Sequence, residues 1–132
     1  MLPHSGTARL LTEVVRSTAD SIDAMGKIPS AHPLVIDGRA PGLLGLELGA
    51  QAAAAMEALN RGHETGDRTP KIGYLVRVRE ATFVMPDLPI EKALNVTAHL
   101  EGSAPPLAIY RISVGVDGVE FLNATLSTYS GS

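Results

Sequence analysis

Hydrophobic residues recur at every second position in four segments of the second half of the chain. Each segment puts apolar side chains on one face and polar side chains on the other, which is typical of strands with one buried face. The apolar positions are Val76 and Val78; Leu94, Val96, Ala98 and Leu100; Tyr110, Ile112, Val114 and Val116; and Leu122, Ala124 and Leu126. Asp117-Gly118 predicts a tight hairpin turn, and Pro105-Pro106 marks the turn before it. We therefore predict an antiparallel four-strand meander.

One segment of the first half has the pattern of a helix. Gly42 to Arg61 is rich in alanine and leucine, which favour helices, and it lies between Pro41 and Gly62. Its first half is apolar nearly all round, so we expect burial on most sides. The alanine run from Ala52 to Ala55 leaves little side-chain bulk, which lets other backbone approach closely.

The remaining segments give weaker signals. Ala8 to Arg16 and Ser21 to Ile28 are predicted to be two short strands, and Pro29 ends the second because proline cannot donate to a sheet ladder. Ser30 to Pro41 is predicted to be irregular, and His63 to Lys71 to be a polar loop.

A long helix with little polar surface needs a sheet that curls around it. The order of two strands, a buried helix and a meander therefore predicts an α+β fold of the hotdog type, in which one domain spans residues 1–132. Cystatin-like folds have a similar order of elements, but their helices are usually more amphipathic because they cover one face of a sheet.

Composition narrows the possible functions. The chain has no cysteine, which excludes disulfides, thiolate zinc sites and a cysteine nucleophile. The net charge is −3 and the basic residues are scattered, so nucleic acid is not an expected partner. Glu47, Gln51 and Glu57 interrupt the longest apolar stretch, so no membrane span is expected. The start of the chain does not have the pattern of a signal peptide, and we expect a cytoplasmic protein.

Glu47 is the most informative polar residue. Leu43, Leu44 and Ala50 are its helical neighbours, and Gln51 lies one turn further on, where it can act as a partner. Burial disfavours the charged form of a carboxyl, and a protonated carboxyl is what a general acid needs. The alternative interpretation is a structural glutamate at the helix surface or at a dimer interface.

His32 precedes the helix in the irregular segment, and its neutral imidazole is suited to a base near neutral pH. The alternative is a loop histidine that only bonds the backbone. His4, His63 and His99 are weaker candidates. No histidine pair has the helical spacing of metal ligands, and we predict no metal or redox cofactor.

Gly42 lies at the start of the helix, where backbone N–H groups can stabilise negative charge.

Several of these pieces together resemble a known family. Leu2-Pro3-His4, His32-Pro33, and Pro41-Gly42 followed by Glu47 and Gln51 are similar to the motifs of the hotdog 3-hydroxyacyl-(acyl carrier protein) dehydratases. The segment from His32 to Gln51 resembles especially the dehydratase-like branch found in aryl-polyene gene clusters. One departure is the loop sequence Ala31-His32-Pro33, where commoner members have Gly-His-Phe-Pro.

The resemblance implies a role for each matched residue. His32 would remove the proton beside the thioester carbonyl, Glu47 would protonate the departing hydroxyl, and the Gly42 N–H would bind the thioester oxygen. Gln51 would hold Glu47, and Pro33 would line the substrate site. In the family the histidine and the acid come from different subunits, so the resemblance also implies a homodimer or a higher homo-oligomer, with a hetero-oligomer with another hotdog subunit as the alternative.

We therefore expect a lyase that dehydrates 3-hydroxyacyl thioesters on acyl carrier protein or coenzyme A. The alternatives are a hotdog acyl thioesterase and a non-catalytic subunit that pairs with another hotdog protein. An acidic acyl carrier protein is an expected partner, and the basic residues that would face it are Arg39, Lys71, Arg77 and Arg79.

Overall fold

The computed structural model describes residues 10–65 and 74–130. Its elements follow in the order β1 Leu11–Ser17, β2 Ser21–Gly26, β3 Ala40–Pro41, α1 Leu43–Thr65, β4 Tyr74–Phe83, β5 Asp87–Leu88, β6 Leu94–Ala104, β7 Leu107–Val116 and β8 Val119–Ser130. The predicted residues His4 and Lys71, and the first two residues of the first predicted strand, lie outside the described part.

Six of the strands form one antiparallel sheet in the order β1-β2-β6-β7-β8-β4. The helix packs against one face of this curved sheet, and β3 and β5 form a separate two-stranded ladder beside the start of the helix. The predicted fold class is therefore confirmed: one long helix lies against a curved antiparallel sheet.

The core lies between the helix and the inner face of the sheet. The predicted alternation is confirmed in β6, β7 and β8, whose inward side chains are buried while their neighbours are more exposed. The buried positions of these three strands are Leu94, Val96, Ala98, Tyr110, Ile112, Val114, Val116, Leu122, Ala124, Leu126 and Thr128.

Two glycines let the helix approach the sheet closely. A methyl group built on Gly49 would lie 2.1 Å from Cδ1 of Ile112, and one built on Gly45 would lie 2.1 Å from Cδ2 of Leu122. The two glycines are one turn apart, so they form one seam against the sheet. The expected burial of the helix is confirmed on this side by Leu48 and Met56, which are both 0% exposed.

The boundaries of three predicted elements need correction. The helix continues through Gly62 to Thr65, because an interior glycine costs only about 1 kcal/mol relative to alanine and does not by itself end a helix. The second strand ends at Gly26, before Ile28, because the Lys27 N–H leaves the ladder and donates to the Leu10 carbonyl at 3.0 Å. The first strand runs to Ser17, one residue beyond Arg16.

The predicted four-strand meander is wrong for its first strand. β4 pairs with β8 at the edge of the sheet and not with β6, its nearest long neighbour in sequence. The residues from Arg77 to Phe83 are exposed on both faces, and Val78, which was expected to be buried, is 43% exposed. An alternating pattern predicts that a strand has two faces, but it does not determine which strand lies beside it.

Other local predictions agree with the structure. Asp117 and Gly118 have positive φ angles of 51° and 80°, as a type I′ hairpin turn requires. Pro105 and Pro106 form the turn between β6 and β7. Among the described helices there is none long and apolar enough to cross a membrane.

Replacing Gly49 by alanine should lower the free energy of unfolding by about 1–3 kcal/mol, because the added methyl group displaces Ile112 in a packed core. This cost should exceed the gain of roughly 1 kcal/mol that alanine brings to a helix. Urea denaturation measures the difference. Combining Gly49→Ala with Ile112→Val, which removes Cδ1, should recover part of the loss in a double-mutant cycle.

Gly102→Ala is the matched control, since a methyl group there meets nothing within 4 Å. Its effect should stay within about 1 kcal/mol. A Gly49→Ala variant as stable as the native chain would contradict the close packing of the helix on the sheet.

Candidate active site at the outer face of the helix

Glu47 lies on the side of the helix that faces away from the sheet. Leu43, Ala50 and Ala54 share this side, at the three- and four-residue intervals that align side chains on a helix. Leu43 is 59% exposed, and Glu47, Ala50 and Ala54 are half-buried. The helix is therefore covered on its sheet side and partly open on the side that carries Glu47.

The carboxylate of Glu47 is joined to the side-chain amide of Gln51. Nε2 of Gln51 donates to Oε2 of Glu47 at 3.1 Å, which confirms the pairing of these two side chains across one helical turn. The described residues donate no hydrogen bond to Oε1 of Glu47, so this oxygen is available to another molecule.

The orientation of the Gln51 amide is fixed from its other end. Oε1 of Gln51 accepts hydrogen bonds from the backbone N–H groups of Leu10 and Leu11, both at 2.9 Å. Backbone N–H groups only donate, so the amide oxygen must face them and the amide nitrogen must face Glu47. Gln51 thereby connects the start of β1 to the carboxylate over about 40 residues of sequence.

His32 lies in the loop between β2 and β3, where it is half-buried. The Leu34 N–H donates to its Nδ1 at 3.1 Å. Nδ1 is therefore an acceptor, and a neutral imidazole in this arrangement carries its hydrogen on Nε2. This geometry is the reverse of what a base acting through Nε2 requires, because such a base needs a lone pair on Nε2.

The loop that contains His32 is anchored by Glu91. Oε2 of Glu91 accepts the Ser30 N–H at 2.7 Å, and the Glu91 N–H donates to the Ile28 carbonyl at 2.8 Å. The bond from the Ser30 backbone, aided by nearby Lys27, lowers the pKa of the Glu91 carboxyl below its usual value. Glu91 thus fixes the base of the loop from the segment between β5 and β6.

Gly42 is buried beside the first turn of the helix, but its N–H is already in use. It donates to the Pro86 carbonyl at 3.1 Å, next to the small β3–β5 ladder. The helix proper begins one residue later, at Leu43. In this arrangement Gly42 does not offer its N–H to a bound oxygen.

The structure thus brings Glu47 and Gln51 together, whereas within the described residues of one chain His32 makes no hydrogen bond or ion pair with either. Pro33 follows His32 and is exposed. His99 lies on the outer face of the sheet, where its Nδ1 is 2.8 Å from Oγ of Ser21. Across the described ranges no group of histidine and acidic side chains is arranged to hold a metal ion.

Sequence reasoning missed a buried polar cluster on the second half of the helix. Glu57, which the sequence marks only as a break in the apolar stretch, accepts hydrogen bonds at Oε2 from the Tyr110 hydroxyl at 2.7 Å and from Oγ1 of Thr128 at 3.1 Å. Both hydroxyl residues are almost fully buried, with 2% and 1% exposure. The hydroxyl-bearing residues stand at inward positions of β7 and β8, and that pattern is the sequence signal that points to a polar partner on the helix.

Large apolar side chains are exposed around the start of the helix. They belong to the His32 loop, the first helical turn, the last residue of β4 and the segment after it, and they are Leu34, Ile36, Leu43, Phe83, Val84 and Met85. Two depressions of the chain surface lie elsewhere: Asn95 and Glu120 line one, and Arg16 and Asp23 line the other. Neither of these two depressions is lined by Glu47 or His32.

The long helix on a six-stranded antiparallel sheet defines a hotdog-fold protein. The chain matches the model of the ApeP-like family, described as ApeP dehydratase, over residues 1–132, and it therefore belongs to that family. No curated protein sequence matches the chain significantly.

Solved structures show the same fold at low sequence identity. The dehydratase heterocomplex ApeI:P from Xenorhabdus doucetiae has a TM-score of 0.86 and 18% identity, and the match covers 99% of this chain and 88% of that chain. An uncharacterised protein from Pyrococcus horikoshii has a TM-score of 0.68 and 12% identity, with 93% and 85% covered. A hypothetical thioesterase with coenzyme A from Streptococcus pneumoniae has a TM-score of 0.66 and 11% identity, with 89% and 86% covered.

Replacing Gln51 by leucine should lower the free energy of unfolding by about 2–3 kcal/mol, because two backbone N–H groups lose their acceptor.

Gln51→Glu is the matched control, since its carboxylate still accepts both N–H groups. Its second carboxylate oxygen lies beside Glu47, however, so two negative charges repel each other where the native amide donates a hydrogen bond. The glutamate variant should therefore be least stable, relative to the native chain, at neutral pH. Denaturation of both variants at about pH 5 and about pH 7.5 measures these effects. Equal, pH-independent losses would contradict the geometry.

Glu91 should contribute a pH-dependent part of the stability. Its folded-state pKa is lowered, so this contribution is present above the ordinary carboxyl pKa and is lost as the pH falls through the lowered value. Glu91→Gln still accepts the Ser30 N–H but carries no charge. The stability difference between the native chain and this variant should be largest near neutral pH and should disappear in acid. Denaturation from about pH 7 to about pH 2.5 measures it, and a difference that does not change with pH would contradict the role of the charge.

Proposed function

We propose that this chain is a subunit of a 3-hydroxyacyl-thioester dehydratase, which removes water from an acyl chain on acyl carrier protein or coenzyme A and leaves a trans-2-enoyl thioester. The observation that carries the proposal is the Glu47 carboxylate, which an oriented amide holds on the open side of the central helix. Membership of the ApeP-like dehydratase family supports the reaction class.

The reaction requires groups of the kinds present here. Elimination breaks a C–H bond beside the thioester carbonyl and a C–O bond at the next carbon, so one proton is accepted and one is delivered to the departing hydroxyl. Negative charge builds on the thioester oxygen between these events, and a hydrogen-bond donor stabilises it. Glu47 exchanges protons with the substrate through Oε1, and His32 is the second group at the reacting atoms. Gln51 positions Glu47, and Pro33 lines the substrate site beside His32.

A second subunit completes the site in this proposal. The exposed apolar residues around the helix start offer a surface that a partner can cover, and the dehydratase heterocomplex of similar fold supports a hotdog partner. β4 is the edge strand suited to the contact, because it is ten residues long and its residues 77–83 are exposed on both faces. The other edge strand, β1, has only seven residues and has two register shifts, against one in β4. We assign the working form to a hetero-oligomer with another hotdog subunit, with a homodimer as the alternative.

Acyl carrier protein is the carrier that the charges favour. Such carriers are acidic, and Arg39, Arg77 and Arg79 are exposed in the loop before the helix and on the edge strand. Lys71, the fourth basic residue of the predicted docking set, lies outside the described residues.

The proposal predicts hydration of a short trans-2-enoyl thioester of coenzyme A, the reverse reaction, by the purified assembly. Loss of the enoyl absorbance measures it, and a parallel thiol assay detects thioester cleavage. Glu47→Gln and His32→Ala should each lower kcat/KM by about 100-fold or more, because each removes a group that acts at the reacting atoms.

His99→Ala is the matched control, because His99 is exposed on the outer face of the sheet and bonds to Ser21. Its activity should equal that of the native chain. Thiol release without loss of the double bond would replace the proposal with a thioesterase. Hydration by the native assembly that survives both Glu47→Gln and His32→Ala would remove this chain from the reaction and leave it as a non-catalytic subunit.

A further inference from the structure

The loop around His32 is built from two consecutive turns. The His32 N–H donates to the Pro29 carbonyl, and the Val35 N–H donates to the His32 carbonyl, both at 3.0 Å. Pro33 follows His32 and has no N–H, so Leu34 has the first N–H after the histidine that can reach the ring. His32 is the first residue of the second turn, a position where Asp, Asn and Ser commonly accept the N–H two residues further on.

Nδ1 of His32 takes the place of that side-chain oxygen. It accepts the Leu34 N–H at 3.1 Å, and this bond requires a lone pair on Nδ1. The ring hydrogen of the neutral imidazole therefore resides on Nε2. Over residues 10–65 and 74–130, Nε2 has no hydrogen-bond partner, so its N–H is available to a ligand.

The N–H group expected to bind the thioester oxygen is engaged at the same time. The Gly42 N–H donates to the Pro86 carbonyl at 3.1 Å. The elimination still needs a donor where negative charge builds. His32 offers an N–H in the state that its loop stabilises, whereas the resemblance to the dehydratases gave it the role of a base.

We propose that His32 is the hydrogen-bond donor to the thioester oxygen, acting through Nε2–H as a neutral imidazole, and that Glu47 makes both proton transfers. This inference rests on the proposed dehydratase function. The Glu47 carboxylate of one subunit takes the proton from the carbon beside the carbonyl, and the electrons of that C–H bond enter the enolate. The enolate then forms the C–C double bond and expels the hydroxyl, which takes the same proton back from Glu47 and leaves as water. A neutral imidazole is a competent donor to a carbonyl oxygen in such chemistry.

The tautomer can be measured without any substrate. Multiple-bond ¹H–¹⁵N correlation spectra of the ¹⁵N-labelled full chain distinguish a ring protonated on Nε2 from one protonated on Nδ1. The chain has four histidines, and the signals of His32 are those missing from the His32→Asn variant. The inference predicts the Nε2–H tautomer at pH values where the ring is neutral. An Nδ1–H tautomer would overturn it.

Two amide variants separate a donor from a base. In His32→Asn the side-chain oxygen can still accept the Leu34 N–H, but no group replaces Nε2–H. In His32→Gln the amide N–H lies near the position of Nε2–H. If His32 is a donor, the glutamine variant should keep enoyl-hydration kcat/KM within about 10-fold of the native value, while the asparagine variant loses about 100-fold or more.

Neither amide can take a proton from carbon. If His32 acts as a base, both variants should therefore lose enoyl-hydration activity to a similar extent. Comparable losses in the two variants would therefore overturn the inference. If the native assembly hydrates no enoyl thioester, the proposed function fails, and the tautomer spectrum still decides whether the loop holds His32 as a donor.

Discussion

The side-chain amide of Gln51 is the interaction on which both the fold and the candidate site depend. Its oxygen accepts the N–H groups of Leu10 and Leu11, where the chain enters β1, and its nitrogen donates to Glu47. Because its two ends differ chemically, the amide cannot turn over without losing both contacts. The sheet edge at the start of the chain thus determines how the carboxylate is presented, and the strand and the site are stabilised by one residue.

The close contact between helix and sheet explains why the site lies on the outer side of the helix. Gly45 and Gly49 let the helix rest directly against Leu122 and Ile112, so this part of the core is filled by protein atoms. The carboxylate of Glu47 and the exposed side chain of Leu43 remain on the other side of the helix. The proposed site is therefore open at the surface of the described chain, which is why the proposed function includes a second subunit.

Much of the fold could be predicted from local patterns, and part of the site from helical spacing. The alternation in β6, β7 and β8 and the pairing of Glu47 with Gln51 depend on neighbours two or four residues apart. The position of β4 beside β8 depends on a contact between distant segments, which alternation does not encode. The same holds for the Gln51 bonds to the start of β1, the bond of Gly42 to Pro86, and the bonds of Glu57 to Tyr110 and Thr128. The tautomer of His32 depends on a local bond to Leu34, which only the backbone geometry of the loop reveals.

The central claim is that this assembly moves a proton at carbon and leaves the thioester intact. The most direct measurement is the mass spectrum of the products formed from a trans-2-enoyl thioester of coenzyme A in deuterated water. The account predicts a 3-hydroxyacyl thioester that retains one non-exchangeable deuterium on the carbon beside the carbonyl. A free carboxylic acid with free coenzyme A and no deuterium on that carbon would contradict it, because the assembly would then cleave the thioester without activating the C–H bond.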